Sequence, residues 1–181
     1  VEENIVGSGT SSLWVKIDEV LNEEDQAQAQ KIIDTADGEV KKEAIEKIIT
    51  QGNGEAEQKL TARERLGLVE DFYEIYGRLP EDSDLEALDG MSDAQRPAER
   101  NIEEERKAIS EFIRIYGRMV DFRNESDHSF IDFLSYRLRP MQRDLEVEKI
   151  ALSRFVGVYR ALPNNGWAWS IIRAIAYSGA K

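Results

Sequence analysis

The chain has no cysteine among its 181 residues and a single histidine, His128. The missing thiols exclude a disulfide scaffold, a thiolate metal site and a cysteine nucleophile. One histidine excludes a multi-histidine zinc or iron cluster and leaves one candidate imidazole base. Long apolar runs are missing too. The longest lies within Trp167–Tyr177 and is interrupted by Ser170 and Arg173, far short of the roughly 20 residues a membrane-spanning helix needs. Positive charge is scarce: 24 Lys and Arg against 36 Asp and Glu give a net charge of −12. That balance argues against non-specific binding to nucleic acid or to anionic lipid. The chain opens with Val1 rather than Met, which fits a processed mature protein, an excised piece or a fragment.

What is present is unevenly placed. Residues 1–100 hold 25 acidic and 11 basic side chains, whereas residues 101–181 hold 11 acidic and 13 basic. Two readings follow: an ordinary solvated surface, or charge complementarity between one copy's front and another copy's back. The apolar set, 41% of the chain, is enough for one sizeable core or two small ones.

A repeat organises the second half. The stretch Arg96-Pro-Ala-Glu-Arg-Asn-Ile-Glu-Glu-Glu-Arg-Lys-Ala-Ile-Ser-Glu-Phe112 aligns without a gap to Arg139-Pro-Met-Gln-Arg-Asp-Leu-Glu-Val-Glu-Lys-Ile-Ala-Leu-Ser-Arg-Phe155, with 8 of 17 positions identical. A third copy lies upstream, Thr61-Ala-Arg-Glu-Arg-Leu-Gly-Leu-Val-Glu-Asp-Phe72, and in each copy a tyrosine follows four residues after the phenylalanine: Tyr76, Tyr116, Tyr159. The phenylalanines are spaced by 40 and 43 residues, a period that marks one supersecondary unit used several times.

Local chemistry identifies that unit. Thr61, Asn101 and Asp144 each stand 11 residues before their phenylalanine and are good helix N-caps. Thr61 with Glu64, and Asn101 with Glu104, have the spacing of capping boxes. Apolar residues follow at helical spacing, as in Ile109, Phe112, Ile113 and Tyr116. Gly77 and Gly117 sit where a left-handed residue closes a helix; Arg160 holds that place in the third copy, so that end is expected to close differently. A second helix follows in each unit: Ser83 to about Met91, Ser126–Leu138, and Gly166–Ser178. Helices are also expected over Ser12–Leu21, Glu23–Ala36 and Glu39–Thr50, the last capped by Asp37.

The expected fold class is therefore all-α: stacked helical hairpins, about three repeats of 40–43 residues, behind a helical N-terminal lead. The expected organisation is an extended arm over 1–11, a helical lead over 12–54, and an αα-repeat domain over 55–181. Its repeats lie near 61–97, 101–140 and 144–179.

The string Phe-x-x-x-Tyr-Gly-Arg-Leu-Pro from Phe72, the tryptophan-bearing second helix, and the ending Trp169-Ser-Ile-Ile-Arg-Ala-Ile-Ala-Tyr-Ser-Gly179 carry a resemblance. Over residues 60–181 the chain resembles αα-hairpin repeats of uncharacterised, apparently exported proteins of ultra-small, candidate-phylum bacteria. The resemblance implies the fold and an extracellular or cell-surface location; it implies no known activity. The first copy lacks the tryptophan, and the third lacks the Gly-Arg after its tyrosine.

Candidate chemistry is thin. His128 follows Asp127 at a helix start, without the convergent partners of an acid–base pair or triad. Asp82-x-Asp84-x-Glu86 matches half a calcium loop but lacks its sixth-position Gly and twelfth-position Glu, so it reads as helix-start acidity. Gly7-Ser-Gly9 and Gly52-Asn-Gly54 are not phosphate loops. The expectation is no catalytic residue, no cofactor and no metal. The interface candidates are Trp167, Trp169, Ile172 and Arg173 on the last helix, which is apolar around most of its circumference, together with Ile5 and Val6 of the arm. The arm could add a strand to a neighbour. The function expected is a structural subunit that self-assembles head to tail into a filament or layer; the alternative is a monomeric solenoid adaptor that binds a peptide or protein.

Overall fold

The computed structural model describes residues 16–181, and every ordered element within that span is helical. Three helices lead: α1 (Ile17–Val20), α2 (Glu23–Ile33) and α3 (Glu39–Gln51). A one-turn helix α4 (Glu55–Gln58) precedes α5 (Ala62–Tyr76) and α6 (Leu85–Ser92). Two helical pairs complete the chain: α7 (Ile102–Tyr116) with α8 (Glu125–Ser135), and α9 (Leu145–Tyr159) with α10 (Gly166–Tyr177). The proposed arm over residues 1–11, Ile5 and Val6 included, lies outside the described residues, as do the first residues of the helix expected from Ser12.

The helix ends follow from their caps. Thr61 forms a full capping box with Glu64 at the start of α5. Asn101 and Asp144 each accept two backbone N–H bonds at the starts of α7 and α9. Gly77 and Gly117 close α5 and α7 in the left-handed region, at φ 67° and 66°. Arg160 closes α9 in that same conformation, at φ 57°, so the third copy ends as the others do and carries the steric cost of a Cβ there.

Two local expectations are corrected. Asp37 does not cap α3; Gly38 occupies the N-cap, without a side-chain bond. Glu104 does not reach back to Asn101, because its carboxylate is drawn into an ion pair with Arg137 and Lys107. The N–H of Asn101 is satisfied instead by the hydroxyl of Tyr136, at 3.1 Å.

The core is continuous from the lead to the last helix. α2 and α3 pack against α5, α7 against α8, and α10 against both α8 and α9. Phe72, Phe112, Phe130 and Tyr136 are fully buried along this line. In the last two turns of α5, α7 and α9 a phenylalanine meets the tyrosine four residues later, at a centroid distance of 4.6, 4.7 and 4.4 Å. The arginine after each closing glycine is used alike in the first two units. Arg78 forks onto Asp84 at 2.5 and 3.0 Å, and Arg118 onto Asp127 at 2.5 and 2.7 Å. Both guanidinium groups also lie over the Phe and Tyr rings of the preceding helix. The second and third units share a further clamp. Tyr136 accepts from Asn101 N–H and donates to Glu105 Oε1 at 2.7 Å, while Tyr177 accepts from Asp144 N–H and donates to Glu148 Oε1 at 2.6 Å.

One glycine is fixed by its neighbour rather than by its φ. A Cβ on Gly54 would come within 2.1 Å of Asp89 Oδ1, the atom that accepts the N–H of Ala56 and so joins α4 to α6.

Candidate binding cleft

The connector from Arg137 to Arg143 positions a cleft that gathers several of the interface candidates. It leaves α8 with Arg137 in the left-handed region, at φ 48°, and is then stapled down by charge. Arg137 Nη1 meets Glu104 Oε2 of α7 at 2.5 Å, both side chains being buried. Arg139 Nη2 meets Asp71 Oδ2 of α5 at 2.9 Å, and the N–H of Arg139 donates to Met91 O of α6 at 2.9 Å. Charges taken this far from water hold only with partners in good geometry, and losing one partner is costly. The connector is thus locked across three helices.

Between this connector, α5 and the first turns of α10 lies a cleft of ≈ 560 Å³ open to solvent. Trp169, Ile172 and Arg173 all line it. Trp169 is 48% exposed, whereas Ile172 is 2% exposed and belongs to the core. Helix α10 packs mainly against α8 and α9, and Ile171 and Ile172 are buried on it. Trp167 points elsewhere: it is half-buried, with the Arg137 guanidinium 4.7 Å above its ring. The cleft therefore unites Trp169, Ile172 and Arg173 and leaves Trp167 out.

The charges of the cleft divide into satisfied and unsatisfied ones. Arg139 and Asp71 hold each other. Arg143 forks onto Glu148 at 3.0 and 2.6 Å, which holds that carboxyl below its ordinary range. Arg63 is paired to Asp25 at 3.1 Å. Burial works against the charge of Glu64, but the N–H and hydroxyl of Thr61 outweigh it and leave its pKa lowered. Glu70 is pushed up, mainly by burial. Arg173 is different. Its Nη2 donates to Ser170 Oγ at 2.8 Å, no carboxylate among the described residues lies within ion-pair reach, and its buried Nε has no hydrogen-bond partner. Burial first, and the neighbouring Arg139 charge second, push its pKa down to about 10.

His128 lines a smaller cavity, of ≈ 260 Å³, with Arg96, Arg123 and Asp132. The His128 side chain is 50% exposed, and its Nδ1 lies 3.3 Å from Asp132 Oδ2. Asp84, within the half calcium loop, is committed to Arg78. Among the described residues no group of three or more His, Cys, Asp or Glu is placed to hold a metal ion.

The residues missed in the sequence are Arg139, Asp71 and Arg143. Arg139 and Arg143 belong to the repeated Arg-Pro-x-x-Arg string, the one signal that singles them out, but their partner helix lies 68 residues upstream in the case of Asp71. The chain matches no protein family, no curated protein and no solved structure.

Proposed function

We propose that this chain is a non-enzymatic interaction module whose partner is a second copy of itself, docked end to end. The observation that carries the reading is an uneven surface. Of the twelve large apolar side chains left exposed among the described residues, nine lie beyond residue 101, in the half where charge is nearly balanced. They include Met141, Leu145, Ile150, Leu162 and Trp169, exposed by 71, 68, 71, 72 and 48%. The first hundred residues carry the acid excess. An apolar, mildly basic half and an acidic half on the same chain suit a heterologous contact, which gives a ring if it closes and a filament if it does not. The resemblance of the repeats to apparently exported proteins extends the reading to an extracellular or cell-surface filament or layer.

Trp169→Ala tests the reading, since the side chain is half exposed and its loss spares the core. Sedimentation equilibrium should show self-association weakened at least about ten-fold, the scale of an interface aromatic worth more than about 1 kcal/mol, and weakened also by salt. An association constant untouched by both changes would overturn the proposal, whereas a monomer that captures a different protein through the cleft would favour the adaptor alternative.

A further inference from the structure

We infer that the cleft beside α10 is a carboxylate-binding subsite, with Arg173 as its receiving group and Trp169 as the platform for an apolar neighbour of that carboxylate. The inference rests on the docking role proposed for this cleft and adds the chemistry of what enters it.

The case starts from what Arg173 lacks. A guanidinium offers five N–H donors in a rigid fork; here Nη2 has one neutral acceptor, Ser170 Oγ, and the sealed Nε has none. Buried polar atoms are almost always paired, and an unpaired charged one costs more than a neutral one. The acids that could have paired with it are engaged elsewhere. Asp71 is on Arg139, Glu148 is on Arg143 and the Tyr177 hydroxyl, and Glu64 is on Thr61. Glu70 is biased toward its neutral form by burial. Among the described residues, Arg173 is thus the cation of this cleft whose pairing is left to a visitor.

The rest of the cleft suits the same ligand. Helix α10 is twelve residues long and begins at the cleft, where Gly166 and Asn165 line it. Its N-terminal end favours negative charge. Asn165 caps the N–H of Ala168, and the first turn of α10 contains no acidic residue, unlike the first turns of the other long helices. Trp169, one turn on, offers a half-exposed indole on which an apolar or aromatic group can lie. A carboxylate next to an aromatic or aliphatic side chain, as in an acidic protein segment, meets all three features. An orphaned guanidinium also weakens the fold, so the residue should cost stability where it serves binding.

That trade-off supplies the test. The probe is N-acetylphenylalaninate, with N-acetylphenylalaninamide as the neutral control and inorganic phosphate as the alternative anion. Binding is read by the Arg173 Nε–H resonance and by tryptophan fluorescence. The expected result is a saturable shift with the carboxylate and none with the amide. Arg173→Met should lose at least ten-fold in affinity while melting about 2–4 °C higher than the parent, the scale of about 1 kcal/mol in a chain of this size. Unchanged probe binding in Arg173→Met would overturn the inference. So would equal binding of the amide, or a response to phosphate but not to carboxylate. A variant that melts lower or fails to fold would make Arg173 a structural residue and overturn it as well. The two readings fail separately. Probe binding without self-association retains the subsite and removes the second copy; self-association of the parent chain without any probe binding does the reverse.

Discussion

Replacing Tyr136 and Tyr177 by phenylalanine, one at a time, separates burial from hydrogen bonding in this fold. Each hydroxyl accepts the N–H of the residue that caps the preceding helix and donates to a glutamate one turn further along, with distances of 3.1 and 2.7 Å for Tyr136 and 3.0 and 2.6 Å for Tyr177. The glutamates are equally engaged, Glu105 with Arg100 and Glu148 with Arg143. What differs is access to water. Tyr136 is 0% exposed, and burial pushes its pKa up to about 12. Tyr177 is half-buried, and the Asp144 N–H it serves is at the surface. Tyr136→Phe should therefore lose a bond to a charged acceptor and strand the N–H of Asn101, a cost of about 2–4 kcal/mol. Tyr177→Phe exchanges its bonds for water and should cost about 1 kcal/mol. The gap of about 2 kcal/mol corresponds to about 4–8 °C in melting temperature for a chain of this length. Urea unfolding of both variants measures it, with unchanged m-values as the check that the unfolded state is common to both. Equal costs, or a larger cost at Tyr177, would refute the claim that burial sets the value of this clamp.

Arg160→Gly should stabilise the chain by about 1 kcal/mol, because the residue closes α9 at φ 57° with its side chain exposed; a loss of stability in thermal unfolding would contradict it. Stability should peak near about pH 5. Glu57, Glu70, Glu74 and Asp132 have pKa values raised chiefly by burial, so they add stability as pH falls from 7 and they take up protons. Asp84, Asp127, Glu105 and Glu148 are lowered first by their arginine partners. Their contribution is present above the ordinary values of 3.8 and 4.5 and is lost as pH falls through the folded ones. Relief of the self-repulsion of a −12 chain acts in the same direction as the first group. Urea titrations between pH 3 and 8 check the profile; stability that climbs from pH 5 to pH 8 would contradict it.

What was legible in the sequence is what local physics decides. Thr61, Asn101 and Asp144 cap their helices because a cap needs only its own side chain and the next three N–H groups. Gly77 and Gly117 close them because the left-handed turn is a one-residue property. The all-helical class followed from the spacing of apolar residues between those signals. Two failures are local, at the cap of α3, where Gly38 stands in place of Asp37, and at the end of α9; the third is non-local. Glu104 has the position of a capping-box acid, yet Arg137, 33 residues away, takes its carboxylate. Arg160 was expected to close its helix by another route, yet it takes up the left-handed conformation of Gly77 and Gly117 itself. The cleft itself had no signature, since it depends on Arg139 finding Asp71 and leaving Arg173 without a carboxylate partner among the described residues.

The self-association proposed here is tested most directly by the molar mass of the purified chain in solution, followed by light scattering over a wide range of concentration and imaged by electron microscopy in the same samples. The account predicts a mass above the 20.7 kDa of one chain that rises with concentration, falls with added salt, and accompanies elongated or ring-like particles. A constant 20.7 kDa at every concentration and salt would contradict it.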